Sequence, residues 1–299
     1  LGLAVVGPTA ARARLALDKR LQIEAARSAG FAVPETWICS TREEALAIDR
    51  FPVILKPALA VAEHGGRLRR GSARVCADAT ELAIAVADWD GAHPLLAQPW
   101  LSGTGEGLFG VVLDGDVAQL SAHRRLRMVN PQGSGSSACI STAPDPELVE
   151  ACVRMMRAVG WSGLFMLEFL RGRDGTAWFM ELNGRAWGSL ALARRLGLEY
   201  PAWAAFDALG LPQVPRRACA PHEPLVCRHL GREIVHVMSV LRGPRSAALT
   251  DWPSRWGTLR SVARVRRGER WYNWSARRPG VFVQDTLQTV LEPVAKVIR

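Results

Sequence analysis

The sequence predicts an α+β fold. Three features lead there. Strand-like and helix-like segments interleave over the first two thirds of the chain. Two strand pairs are joined by short turns and read as antiparallel hairpins. Neither an internal repeat nor a heptad pattern is present. Strict β–α–β alternation would instead argue for a parallel sheet.

The elements follow in order. GLAVVG, residues 2–7, reads as a strand ending at a Gly-Pro turn. Asp18 is placed to cap a helix with Leu21, Ala25 and Ala29 on one face, with Gly30 just past its end and Pro34 beyond. FPVILK (51–56) is a buried strand closed by Pro57, followed by the basic loop HGGRLRRGS (64–72) and a short strand at 73–76. Asp78 and Glu81 form a capping box for a helix reaching about Trp89. Leu95–Gln98 is a further strand. GLFGVVL and DVAQLSA flank Asp114-Gly115, a strong two-residue hairpin signal. NPQGSGSS (130–137) reads as a loop, and Pro146 opens a helix to Ala158. A second hairpin joins GLFMLEFL to TAWFMEL, and helical patterns occupy 189–196 and 201–209. Past Leu211-Pro212 the pattern weakens, apart from an amphipathic helix over 284–298.

Composition narrows the class. The 299 residues are 48% hydrophobic and 22% charged, ordinary for a globular chain with room for more than one core. No apolar run approaches the roughly 18–20 residues that span a membrane. LGLAVVGPTAARAR lacks the basic start and apolar core of a signal peptide, and a soluble, cytoplasmic protein is expected. The segment has no initiating Met, so residue 1 reads as a fragment boundary of a longer protein. Six cysteines (Cys39, Cys76, Cys139, Cys152, Cys219, Cys227) form no C-x-x-C pair and are expected as buried, reduced thiols.

The net charge of +10 is unevenly placed. Residues 1–210 hold 22 basic and 22 acidic side chains, whereas residues 211–299 hold 16 basic and 6 acidic ones. An anionic partner for this basic tail, or simply a solvated arginine-rich surface, accounts for the asymmetry. A nucleic-acid-binding protein fits poorly with the neutral first 210 residues. Only Lys19, Lys56 and Lys296 are lysines among 38 basic residues. Where lysine survives such a bias, a compact, mobile ammonium is the reason to look for.

The second hairpin carries the chemistry. If Asp174-Gly175 is a two-residue turn, Glu168 lies directly opposite Glu181; a four-residue turn makes them diagonal neighbours on one face, and Asn183 shares that face. Two carboxylates facing each other among Phe165, Met166, Phe169, Trp178, Phe179 and Met180 repel unless a cation lies between them. Two carboxylates and an amide oxygen are hard ligands suited to Mg²⁺, which usually completes its shell with water and phosphate oxygens.

At this point the sequence resembles the ATP-grasp superfamily. FMLEF and FMELNGRAWGS look like that family's two metal-binding acidic strands, the second carrying Glu-x-Asn-x-Arg. LDKRLQIEAARSAGFAVPETW, FPVILKP, LLAQPWLSG and HRRLRMVNPQGSGSS resemble its further landmarks in the same order, so the resemblance spans about residues 15–210. It implies two α+β subdomains clasping ATP, with residues 1–14 as the end of a truncated preceding α/β domain, 15–94 as the small subdomain, 95–210 as the large one, and 211–299 as a basic C-terminal extension. It further implies that Lys19 and Lys56 contact ATP phosphates, with Gly65, Gly66 and Gly71 letting their loop close over them. The backbone of Gln98, Pro99, Trp100 and Leu101 would line the adenine. Glu168, Glu181 and Asn183 would hold Mg²⁺ (or Mn²⁺), and Arg185 and Arg127 would stabilise the transferred phosphoryl group. Departures are Gln98 at a place often held by Glu, Gly105 where a ribose-binding Glu is usual, with Glu106 one residue displaced, and Gly184 where Pro is common. The implied activity is an ATP-dependent carboxylate–amine ligase acting through an acyl phosphate on small molecules. The alternative is an ATP-binding scaffold, weakly catalytic or not at all, whose tail engages an anionic partner. Cys219, His222, Cys227 and His229 have irregular spacing for a structural zinc site.

Overall fold

The computed structural model describes residues 5–64, 66–133, 135–212 and 224–298. Two sheets organise it. The first begins after α1 (Ala10–Leu17) and α2 (Lys19–Ser28) with β1 (Trp37–Cys39), α3 (Arg42–Leu46), β2 (Val53–Pro57), β3 (Ala62–His64), β4 (Arg67–Arg69), β5 (Arg74–Cys76), α4 (Ala79–Ala87) and β6 (Leu95–Pro99). β1, β6, β2 and β5 make a four-stranded antiparallel sheet in that order. Its core is Cys39, Val53, Leu55, Cys76, Leu82, Val86 and Trp89, so α4 packs on the sheet. Asp78 caps α4 by accepting from the Thr80 and Glu81 amides, as its position in the sequence implies. The expected loop at 64–72 is instead partly a hairpin, β3 against β4, with Gly65 outside the described residues.

The second sheet is larger. It contains β7 (Thr104–Leu113), β8 (Asp116–Met128), β9 (Ser136–Thr142), then, after α5 (Pro146–Ala158), β10 (Gly163–Arg171) and β11 (Ala177–Asn183). Following α6 (Leu190–Arg195) and α7 (Tyr200–Ala208), the C-terminal segment contributes β12 (Val226–Arg228), α8 (Leu230–Arg242), α9 (Arg255–Ala263), β13 (Arg270–Trp271) and α10 (Pro279–Ile298). The strand order is β11-β10-β7-β8-β9-β12-β13. The basic tail therefore extends the edge of this sheet, with Cys227 paired to Cys139 across β12 and β9.

Each face of the large sheet has its own core. Leu108, Phe165, Leu167, Phe169, Phe179 and Leu182 pack with α1, α2 and α5 on one side. Phe109, Val111, Leu164 and Met166 pack with Trp187, Tyr200 and Trp203 on the other. Alternation along each strand produces this division. Asp114 and Gly115 take φ values of +50° and +83°, the left-handed pair that a two-residue turn demands, and Leu113 pairs with Asp116 as expected.

Four expectations are corrected. Val5–Gly7 join no strand, and Val5 and Val6 are exposed; an apolar run with no neighbouring edge has no ladder to enter, and residues 1–4 lie outside the described residues. α1, α8 and α9 are helices that the sequence reading passed over. The helix after Asp78 stops at Ala87. The amphipathic C-terminal helix starts earlier, at Pro279. The five described cysteines are free and buried.

Candidate functional site

The site is assembled where α2 crosses the outer edge of β11. Asp18 caps α2, accepting from the Arg20 amide at 2.9 Å and from its guanidinium at 2.6 Å. Burial raises the Asp18 pKa, and the Arg20 bonds outweigh it, so the carboxyl stays below its usual range. The Lys19 amide donates to the Ala58 carbonyl at 2.9 Å, tying the helix start to the chain just after β2. Lys19 and Lys56 are thereby brought to one place from sequence positions 37 apart.

Gln22, missed by sequence reasoning, fixes the other side. Its amide oxygen accepts from the Leu182 N–H at 2.8 Å, and its amide nitrogen donates to the Leu182 carbonyl at 3.0 Å. A side-chain amide thus pairs with the free edge of β11 as a neighbouring strand would. It holds the residue between Glu181 and Asn183. An amide that reads backbone leaves no sequence signature.

Glu168 is directly opposite Glu181, but the turn is not the one that simple pairing assumes. Arg171 pairs with Ala177, Leu170 with Trp178 and Phe169 with Phe179; a bulge at Met180 then brings Glu181 against Glu168. The bulge has a clear consequence. Phe179 and Leu182 both enter the core shared with α2 and α5, while Glu181 and Asn183 turn to the opposite face. Under strict alternation, with no bulge, Phe179 and Glu181 would share a face, and either the apolar pair or the acidic pair would point the wrong way.

Around this pair, the Lys19 ammonium is 4.0 Å from Glu181 Oε1. Lys56 is almost enclosed, at 9% exposure; burial first and Lys19 second push its pKa down to about 8, partly offset by Glu181. Glu168 accepts from the Arg125 guanidinium and from Asn183 Nδ2, the latter at 3.2 Å. His123 lies two strands along, opposite Gly107, which is itself opposite Glu168. Burial, and then Arg125, lower its pKa to about 3, so it remains neutral, and its Nε2 has no hydrogen-bond partner.

Other expected residues lie elsewhere. Glu106 alternates onto the α5 face of the sheet, where Arg171 binds it at 2.7 Å and also reaches Asp145 at 3.0 Å. Position 105 is covered by Arg125: a Cβ there would come within 2.7 Å of Arg125 Cδ, so the absent carboxylate and the present guanidinium compete for one space. Arg127 is held by both oxygens of buried Glu233, at 2.7 and 3.0 Å, and by Ser261. Arg185 is exposed, its guanidinium on the Ala186 carbonyl at 3.0 Å. Gln98 is buried in β6 and donates to Thr36 at 2.7 Å; the Trp100 amide donates to the Pro52 carbonyl at 2.9 Å. Pro99, Trp100 and Leu101 are half-buried in the connection between the sheets.

Beyond Arg125 opens a cavity of about 460 Å³, lined by Gly103–Gly105, Arg125–Met128 and, from the C-terminal segment, His236 and residues of α9 such as Thr258 and Ser261. This volume suits a small molecule.

The carboxylate pair fits a divalent cation. Glu168 and Glu181 expose 23% and 31% of their side chains, and turning the Asn183 amide over would present its oxygen beside them. Among the described residues no group of three or more His, Cys, Asp and Glu gathers elsewhere. Cys219 and His222 lie outside the described residues. Cys227 is buried in a cluster with Cys139 and Tyr272, and His229 caps α8 and pairs with Asp285 at 2.8 Å.

These two sheets, the helix between them and the paired acidic strands make the ATP-grasp fold. Within it, residues 112–231 match the family model described as ATP-grasp in the biosynthetic pathway with Ter operon. Among solved structures, the chain is similar to the biotin carboxylase domain of Hydrogenobacter thermophilus 2-oxoglutarate carboxylase, in complex with MgADP, ADP and bicarbonate. That match has 22% identity and a TM-score of 0.57, and covers 73% of this chain and 50% of that one. It is also similar to N5-carboxyaminoimidazole synthase from Aspergillus clavatus, in complex with ADP and its aminoimidazole ribonucleotide, at 16% identity and a TM-score of 0.57, covering 71% and 56%. A third similar structure is the L-amino acid ligase from Bacillus licheniformis, at 18% identity and a TM-score of 0.51, covering 66% and 48%. The chain spans about half the length of these proteins. No curated protein matches the sequence.

Proposed function

We propose that this chain is the ATP-binding part of an ATP-dependent ligase, which activates a carboxylate as an acyl phosphate and couples it to an amine with release of ADP and phosphate. The observation that carries this reading is the convergence of Lys19, Lys56, Glu181, Glu168 and Asn183 from four separate elements onto one patch. Lys19 and Lys56 bind the phosphates. Burial first and Lys19 second lower the Lys56 pKa, and an anion between the two ammonium groups relieves their repulsion. Glu168, Glu181 and Asn183 hold Mg²⁺, or Mn²⁺ in its place, and the cation neutralises charge on the phosphates. The adenine lies against the Gln98–Leu101 connection, using the backbone groups that the Pro52 carbonyl leaves open.

Arg125 stands between the carboxylates and the 460 Å³ cavity. It takes over part of the charge stabilisation otherwise assigned to Arg127 and Arg185. Arg127 contributes from the cavity wall, and Arg185 from the loop after β11 once it leaves the Ala186 carbonyl. Catalysis is then positioning plus charge neutralisation. The solved structures named above, two of which hold ADP, support this class of activity.

The test uses hydroxylamine to intercept an acyl phosphate. With ATP, Mg²⁺ and a panel of small carboxylic acids, the protein should release ADP and form a hydroxamate with at least one acid. Glu181→Ala should do neither. A folded wild-type protein that binds ATP but yields no ADP and no hydroxamate across the panel would contradict the ligase reading.

A further inference from the structure

The surface made by α9 and the residues that follow it is separate from the site above. Residues 252–284 hold eight arginines against one glutamate, and four tryptophans lie among them. That glutamate and the flanking Asp251 are both taken. Asp251 bonds Ser102 and the Arg173 guanidinium, and Glu269 bonds Arg228 at 3.0 Å. Nothing acidic is left to balance this face between positions 252 and 268.

Exposed apolar groups lie among these arginines. Thr258 is buried and Val262 half-buried, which fixes the inward side of α9. Trp256, Leu259 and Ala263, at helical spacings of three and four, form a stripe on the outward side, with Arg260 and Arg264 along one border and Arg255 along the other. Trp256 is 81% exposed, Val265 63% and Trp274 48%. Trp274 packs edge-on against Phe282, beside the exposed Val281 and Val283 at the start of α10. An indole exposed this fully is a cost in water unless something covers it.

We propose that this face binds an anionic lipid membrane, with α9 lying in the plane of the headgroups. The charge calls for an anionic surface, and the arginine borders suit headgroups on either side of a shallow apolar stripe. Tryptophan is the side chain best suited to that depth. The exposed aliphatic groups decide against nucleic acid, which would stack on indoles but gains nothing from Leu259 and Val265. No helix among the described residues is long and apolar enough to cross a membrane, so the association is peripheral.

The experiment is co-sedimentation of the full chain with vesicles of phosphatidylcholine alone or mixed with phosphatidylglycerol. Each arginine near anionic headgroups is expected to strengthen binding ~fivefold. The protein should pellet with the mixed vesicles and far less with the neutral ones, and added salt should release it. Trp256→Ser and the pair Arg260→Glu with Arg264→Glu should each weaken binding by ~tenfold or more without changing thermal unfolding, since these side chains are exposed. Overturning results are no preference for anionic vesicles, or variants that bind like wild type. A protein that binds single-stranded RNA and ignores vesicles, or one that self-associates through Trp256, would equally exclude the proposal.

Discussion

Lys56 is the residue whose chemistry is most exposed to test. Its pKa falls from the ordinary 10.5 to about 8 because burial and Lys19 both disfavour its charge. Nucleotide affinity should therefore fall as pH rises through about 8, and a Lys56→Arg variant, charged throughout, should lose that break; titration of ADP across pH 6.5–9.5 checks this. The linked effect on folding has the opposite sense. The unfolded chain keeps this proton up to about 10.5 and the folded one releases it near 8, so this group's contribution to stability increases with pH between those values. Gln22 supplies a second residue-level test. Gln22→Ala leaves the buried N–H and C=O of Leu182 unpaired, costing about 2–4 kcal/mol in urea unfolding and weakening Mg²⁺-dependent ADP binding, because Glu181 and Asn183 flank that peptide. The contrast shows what a sequence discloses. Lys19 and Lys56 stood out because lysine is scarce in this chain. Gln22 and Arg125 did not, because one reads backbone across an edge and the other is one of three arginines in HRRLR, whose side chains only strand pairing can sort.

Among the elements, β11 shows how far a simple period carries. Alternation put Glu181 and Asn183 on one face, and the two-residue turn, one of two considered, opposed Glu181 to Glu168, yet the pairing arises from a longer turn corrected by the Met180 bulge. Bulges have no fixed residue signature, so this one could be found only in the structure. α8 was passed over although it is amphipathic: its inward side carries Glu233, Gly231 and His236 with Val240, and its apolar Ile234, Met238 and Leu241 face outward. Glu233 is fully buried and binds Arg127, Arg228 and Ser137 at once. Glu233→Leu strands two guanidinium groups and should cost about 3–5 kcal/mol in chemical denaturation, whereas replacing the exposed ion-pair partner Glu35 by Ala should cost under about 1 kcal/mol.

At the level of the molecule, the C-terminal segment closes the large sheet and part of the cavity beside the site. β12 covers β9, Ser246 reaches Glu81 on α4 at 2.8 Å, Asp251 holds both Ser102 and Arg173, and Ser261 meets Arg127. A chain ending at Pro212 would leave β9 as a bare edge beneath an unpartnered Arg127, and it should aggregate or sediment as large species in analytical ultracentrifugation. The charge asymmetry of residues 211–299 was legible from the sequence, but its integration into the sheet was not, because β12 and β13 are three and two residues long. The most direct test of the central claim, that the opposed carboxylates and the two lysines form one nucleotide-metal site, is calorimetric titration of ATP with and without Mg²⁺ into wild type and Glu181→Ala. The account predicts Mg²⁺-dependent binding to wild type and its loss, or a weakening of ~tenfold or more, in the variant. Equal affinity in both proteins, or binding indifferent to Mg²⁺, would contradict it.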